Sequence, residues 1–338
     1  MSGLDAGDTA FPGEPSSAGV TRRRLLAGFG VLAGAAALVP LLERLTARRM
    51  DRVEVSRPAL GTWVRVVARH GDPARASRGV ERAFAAIQRV DEQMSIHRPE
   101  SEVARVNAMA GRGPVAVAPA VVEVVSRACA AARRSGGIYD PTVLALMRLY
   151  GFYRSAGRYP TDRAIGDALG RTGWNLVTVD RTRGMVGLTR EGMGLDLGSI
   201  GKGWAVDQAV AALEAEGIAS GLVDVGGNVY GLGVPEDGAD GWSVGVMHPV
   251  SGRVDRVFQL RDAALATSGN YNQGHLLGGV HVGHLMDAVR GRPSDGHLSA
   301  SACARTGVEA DELSTVAFLL GPGRMGDWPE GSGFHFIG

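Results

Sequence analysis

The run Leu195-Asp196-Leu197-Gly198-Ser199-Ile200-Gly201-Lys202-Gly203 sets a carboxylate, a hydroxyl and an ammonium three residues apart in a glycine-rich turn. That trio suits a diphosphate and a hard metal ion beside it. Glycines let backbone N–H groups approach an anion with no Cβ in the way, and a helix that starts there adds partial positive charge. Val206, Val210 and Leu213 follow on one face of a 3.6-residue period, which predicts that helix.

A second oxygen-bearing cluster is Ala310-Asp311-Glu312-Leu313-Ser314-Thr315. On a helix, Asp311 and Thr315 are one turn apart, so a carboxylate oxygen and a hydroxyl can point at one small cation. Hard oxygen donors favour magnesium over zinc. Taken alone, Asp311 also reads as a helix-start charge or cap and Thr315 as a solvated residue. The oxygen-rich turn at 196–202 is what tilts the pair toward a ligand.

A third group is Ala266-Thr267-Ser268-Gly269-Asn270-Tyr271, then His284-Leu285-Met286-Asp287, then Gly291-Arg292-Pro293. Hydroxyls, a glycine turn, an imidazole and a basic residue suit an anionic ligand, and a positioned His can take the proton of an attacking hydroxyl. His275, His281 and His297 nearby fit solvated loop positions equally well. No His/Cys spacing of a zinc site occurs. There is no Gly-x-x-x-x-Gly-Lys-Ser/Thr loop and no Gly-x-Gly-x-x-Gly between a first strand and helix, which disfavours P-loop enzymes and Rossmann dehydrogenases. Gly226-Gly227 and the Gly231/Gly233 pair read as bends in strands.

The elements that must position these groups follow from periodicity. Residues 53–68 alternate as one or two strands, broken at Pro58-Ala59-Leu60-Gly61. Segments 73–94 and 119–134 are amphipathic helices, each with a proline near its first turn, and Gly136-Gly137 ends the second. Residues 222–230, 242–247 and 256–266 read as strands separated by Gly/Asp turns, and 311–320 returns to helix. Strands and helices alternate without a strict βαβ repeat, so the expected class is α+β.

The chain has 338 residues, 45% of them hydrophobic, and Lys+Arg 36 against Asp+Glu 35. That is ample for a large core and gives no general electrostatic pull toward nucleic acid, which is excluded as a partner class. The N-terminal fifty residues read as an address. Thr21-Arg22-Arg23-Arg24-Leu25-Leu26 precedes an apolar stretch to Leu42, the layout of a twin-arginine export signal. An uncleaved anchor giving membrane association through this segment is the alternative, against which stand its Gly/Ala content and Pro40. The expected organisation is a leader over 1–50 and a folded part over 51–338, whose length fits one large domain or two small ones. Cys129 and Cys303 could pair after export, but Cys129 shares a helix face with Val121, Val122, Val125 and Ala132, where a buried thiol is the simpler reading.

Taken together, the blocks resemble the ApbE family, the FAD:protein FMN transferases. The matching blocks are Leu60-Gly61-Thr62, Met94 through Glu102, Tyr139-Asp140-Pro141-Thr142-Val143 with Leu149-Tyr150-Gly151-Phe152, and the 195–203 turn. They continue with Val225-Gly226-Gly227-Asn228, Ala266-Thr267-Ser268-Gly269, the His284–Asp287 block and the 310–315 block, in the family's order. Three departures stand out: Leu60 where the family usually has Met, His97 where it has Tyr, and Asp287-Ala288-Val289-Arg290-Gly291 where it has Asp-Pro-x-Thr-Gly.

The resemblance implies a single transferase domain over 51–338, an α+β fold of mixed sheets flanked by helices, with an FAD site between two subdomains. It implies a magnesium-dependent enzyme that splits FAD, attaches FMN to a Thr or Ser of a partner protein and releases AMP. By position, Leu60, His97, Ile138, Tyr139, Asp140, Asp196, Lys202, Met286 and Ser314 would line the FAD site. Ser199, Asp311 and Thr315 would surround the metal, and His284 would act as base with Asp287 as its neighbour. The acceptor expected from the leader is an exported or membrane-associated electron-transfer protein, in the periplasm or on the outer face of the cytoplasmic membrane. An FAD diphosphatase releasing FMN and AMP, and a non-catalytic flavin-binding assembly factor, are the alternatives.

Overall fold

The sheet at the centre of the molecule is built by seven strands that neighbour one another in chain order. They are Asp51–Ala59, Thr62–His70, Ser220–Val225, Asn228–Leu232, Ala263–Gly269, Ser299–Ala304 and Gly333–Ile337, and every neighbouring pair is antiparallel. The computed structural model describes residues 51–153, 159–236, 238–270, 274–294, 296–325 and 332–338; the expected leader over 1–50 lies outside them. The α+β expectation holds, and the pairings show why no βαβ unit forms. Chain-order antiparallel neighbours need no crossover, so the helices arrive as insertions on one side.

Side-chain alternation gives the sheet two faces. On one, Val64, Val66, Val223 and Val225 pack under helices Pro73–Met94 and Gly201–Ala215, within the largest apolar cluster. On the other, Val67, Leu222, Val229 and Leu265 meet Trp242, Val246 and Leu260 of the hairpin Trp242–Met247/Val254–Leu260. The helix Pro73–Met94 forms where the periodicity places it. The Asp72 carboxylate accepts the N–H groups of Ala74 and Arg75, a proline occupies the first turn, and Val80, Phe84, Ile87 and Val90 supply the buried stripe. A separate small core gathers Leu146, Met147, Ile165, Leu277 and Val282 from helices Leu144–Leu149 and Asp162–Leu169 and the hairpin Gly274–Leu277/Val280–Gly283, together with Tyr150 just after the first helix and Met286 just after the hairpin.

Several boundaries differ from expectation. The strand expected over 256–266 is two, Val254–Leu260 and Ala263–Gly269, separated at Asp262 with φ of 50°. The Asp262 carboxylate accepts the N–H of Gly233 at 2.8 Å, which holds that conformation. The segment 222–230 likewise divides at the Gly226-Gly227 turn, both residues having positive φ. The last helix begins at Gly307, capped by Thr306, so Asp311 lies in its second turn rather than at its start. Cys129 and Cys303 are both free thiols, and burial pushes Cys129 up to about 12.

Glycine starts that helix because another helix crosses it there. A Cβ on Gly203 would stand 2.2 Å from the carbonyl oxygen of Gly307, and one on Gly307 would stand 2.6 Å from that of Gly203. Beneath the Gly307–Leu320 helix the sheet offers Ala264, Ala266, Ala302 and Ala304, a bed of small side chains that lets it sit close. Gly203→Ala is therefore expected to cost about 2 kcal/mol or more, as overpacked sites do. Gly201→Ala, where a Cβ meets nothing within 4 Å, should leave stability equal or higher. Chemical denaturation of the two variants, opposite in sign, is the measurement.

Candidate functional site

The glycine-rich turn is fixed from two sides before it meets any ligand. Asn107 donates to the Leu195 carbonyl at 2.9 Å and accepts the Leu195 N–H at 2.6 Å, pairing with the turn as a strand would. The Asp196 N–H donates to the Pro141 carbonyl at 2.8 Å, tying the turn to the Tyr139–Val143 segment. The helix Gly201–Ala215 then starts with no capping side chain of its own. Asp311 of the crossing helix supplies the cap, accepting the Gly203 N–H on Oδ2 at 2.8 Å. Asp207 returns the favour, accepting the N–H groups of Gly307 and Val308. The two helices thus exchange carboxylate caps across their glycine contact.

This exchange leaves Asp311 Oδ1 at 3.9 Å from Lys202 Nζ, with Asp311 as a residue only 3% exposed at the wall of the cleft. Lys202 folds back to donate to the Gly198 carbonyl at 2.9 Å. Ser199 donates to the Tyr139 hydroxyl at 3.1 Å, and burial holds that phenol well above its ordinary value although the Ser199 bond works the other way. Ser268, at the end of its sheet strand, bridges Ser314 Oγ at 2.9 Å and Thr315 Oγ1 at 3.0 Å. Beside Asp311, burial pushes Glu312 up to about 7 despite its ion pair with Arg134. Burial also pushes Asp207 up to about 6, outweighing the two N–H bonds it accepts.

Tyr139, Ser199, Lys202, Ser268, Asp311 and Thr315 line one cleft of about 450 Å³, between the sheet-and-helix core and the smaller core, while Glu312 and Asp207 lie outside its lining. Of the residues expected from sequence, Tyr139, Asp140, Asp196, Ser199, Lys202, His284, Met286, Asp311 and Thr315 line it. Ser314 lies directly behind, fully buried, with its hydroxyl also donating to the Asp311 carbonyl. Ile138 is buried and offers its carbonyl to the Ala288 N–H at 3.0 Å, joining its turn to the loop after His284. Leu60 sits in the turn between the first two strands with φ of 51°, and His97 is exposed, its ring edge-on to Tyr153 at 5.2 Å. Asp140 borders the cleft with both oxygens engaged: Oδ1 accepts the Thr142 N–H and hydroxyl, Oδ2 the Trp174 N–H at 2.8 Å.

Asp287 forms the turn that follows His284. Its Oδ1 accepts the Val289 and Arg290 N–H groups, each at 2.9 Å, and Gly291 closes the turn with φ of 66°. Ile165 and Leu169 crowd Gly291 so closely that a Cβ would lie 2.7 Å from Ile165. The Asp287-Ala288-Val289-Arg290-Gly291 segment therefore makes a tight turn without Pro or Thr. Asn270 steers the same loop: its Oδ1 accepts the Leu285 N–H at 3.2 Å, its amide donates to the Ser294 carbonyl, and it fills the space beside Gly283. Phe152, Tyr153, Thr267 and His275 complete the wall. Asn107 and Asp207 carry no local signal of a site role, because what they hold lies far away along the chain, and Asn270 stands in the third candidate group with no role of its own until the loop it steers is seen.

The oxygens of Ser199, Asp311 and Thr315, one carboxylate and two hydroxyls, form a hard donor set that fits a small divalent cation retaining several waters. Among the described residues there is no cluster of three His, Cys, Asp or Glu side chains suited to a softer metal.

A model of the ApbE family matches residues 60–334. The chain belongs to the ApbE family. It is 33% identical to the FAD:protein FMN transferase of Treponema pallidum (strain Nichols), over 82% of this chain and 80% of that one. It is 29% identical to that of Vibrio cholerae, over 81% and 83%. Among solved structures, an ApbE protein of Thermotoga maritima superposes with a TM-score of 0.74 at 30% identity, covering 80% of this chain and 87% of that one. The flavin transferase ApbE of Vibrio cholerae gives 0.73 at 27%, covering 81% and 89%.

The raised Asp207 carboxyl makes a signed prediction. Its folded value lies above the ordinary 3.8, so its contribution to stability is fully present below about pH 4 and is lost as pH rises through about 6. The stability of the parent relative to Asp207→Asn should fall by roughly 3 kcal/mol or less between pH 4 and 7. Urea unfolding at a series of pH values reads it.

Proposed function

We propose that this chain transfers FMN from FAD to a Thr or Ser hydroxyl of an acceptor protein, releasing AMP. One observation carries the reading: a lysine ammonium, a hard-oxygen trio and a histidine line a single cleft opening on a glycine-rich helix start. The relatives' names supply the substrate class, since they are FAD:protein FMN transferases.

In the proposed reaction the acceptor oxygen attacks the phosphorus of the FMN half. A new P–O bond forms, the bridging P–O bond breaks, and AMP departs with the bridging oxygen. His284 takes the proton of the attacking hydroxyl. Lys202 and the N–H groups at the start of Gly201–Ala215 face the diphosphate, where negative charge shifts to the leaving oxygen. Mg²⁺, held by Ser199, Asp311 and Thr315, would supply further positive charge there. Asp196, His97, Met286 and the Tyr139 segment bind and orient the dinucleotide, and Asp287 holds the turn that presents His284. The Arg22-Arg23 leader supports an acceptor in an exported or membrane-bound electron-transfer system, on the outer side of the cytoplasmic membrane.

Co-expression of the chain with proteins encoded beside it, followed by intact-mass analysis, should show an acceptor heavier by one FMN. His284→Ala should slow the transfer by about 100-fold or more, and chelation of divalent ions should stop it. Release of free FMN and AMP with no adduct would establish a diphosphatase instead. FAD bound without turnover, indifferent to His284→Ala, would establish a flavin-binding assembly factor.

A further inference from the structure

Tyr153 is the cleft side chain most closely tied to the dinucleotide-binding groups yet outside the blocks that mark the family. Its hydroxyl donates to Asp196 Oδ2 at 2.6 Å. Its ring meets His97 edge-on, 5.2 Å between centroids and 69° between planes, and lines the cleft beside Phe152 and Asp196. Burial first, and then the Asp196 charge, hold the phenol far above its ordinary value, so it remains a proton donor at physiological pH.

The other Asp196 oxygen, Oδ1, accepts the Gly198 N–H at 3.0 Å, while the Asp196 N–H is held by Pro141. The carboxylate is therefore oriented by two donors on opposite sides, one from the backbone and one from Tyr153. A carboxylate oxygen has room for two hydrogen bonds, so each keeps acceptor capacity for a ligand N–H or O–H in the cleft. Without the phenol, Oδ2 would lose the partner that fixes its rotation.

We propose that Tyr153 is a positioning residue for FAD: it locks the Asp196 carboxylate toward a hydrogen-bond-donating edge of the dinucleotide, and its ring, met edge-on by His97 from outside, walls that end of the cleft. The inference rests on the flavin reading above. It assigns Tyr153 to binding rather than to proton transfer, which separates it from His284.

Flavin fluorescence titration in chelator, where no turnover is expected, tests it with Tyr153→Phe, Asp196→Asn and the double variant. Tyr153→Phe keeps the ring, removes the donor, and should raise the FAD dissociation constant about 10-fold, the loss expected when a bond to a charged group is removed. In the presence of metal its KM for FAD should rise while kcat stays within about threefold. In the Asp196→Asn background the same change should add less than about twofold, because the carboxylate it serves is already gone. A dissociation constant within twofold of the parent, or losses that multiply in the double variant, overturns the role of Tyr153. A lowered melting temperature with unchanged FAD binding does the same, marking the bond as structural. A parent protein that fails to bind FAD overturns instead the flavin reading itself.

Discussion

The site depends on one packing constraint, the backbone contact between Gly203 and Gly307. It brings two helix N-termini together, so that positive dipole ends and unpaired N–H groups converge. Asp207 and Asp311 resolve that convergence by capping each other's helices. The glycines set the distance at which a carboxylate on one helix reaches the first turn of the other. Larger residues would separate the helices and leave both sets of N–H groups without their acceptors.

From that clasp the cleft is assembled by two hydrophobic cores. The main core fixes Ser199, Lys202, Thr267, Asp311 and Thr315 through the sheet and the crossed helices. The smaller core fixes Met147, Phe152, His275 and Met286, and Tyr150 reaches from it to the Gly291 carbonyl at 3.1 Å, bracing the turn after His284. The groups on the two walls of the cleft are thus supported by separate packing, while Asn107 and Asn270 tie loops across with side-chain bonds to backbone. Such bonds are directional, and they hold irregular segments that no ladder could hold.

Sequence periodicity delivered the helices Pro73–Met94 and Pro119–Arg134 because an apolar stripe and an N-terminal proline mark each. The same logic placed Val206, Val210 and Leu213 on the buried face of the helix after the glycine turn. It failed where geometry is set by distant partners. Asp262 adopts positive φ because its carboxylate meets Gly233, a contact with no local signature. Gly307 looks like a helix breaker until the crossing helix is known. Six of the residues that line the cleft, Asp196, Ser199, Lys202, His284, Asp311 and Thr315, are legible because oxygen-rich and basic side chains in glycine turns or on one helix face carry their chemistry visibly, whereas Tyr139, Asp140 and Met286 enter only through the family resemblance. Asp140 and Asp287 carry the same chemistry but are engaged by their own turns, and only the folded backbone separates the two uses.

The strand Ala263–Gly269 has a consequence for how this family can vary. Its register is fixed on both flanks, Ala264 opposite Tyr230 on one side and Ala304 on the other. Alternation puts Ala264, Ala266 and Ser268 under the last helix and Leu265 on the opposite face. The strand works as a ruler whose last even mark is the hydroxyl that meets Ser314 and Thr315. A single insertion inside it would turn Ser268 away from the helix. The count from Ala264 to Ser268 is thus part of the site, although of these residues only Thr267 and Ser268 line it.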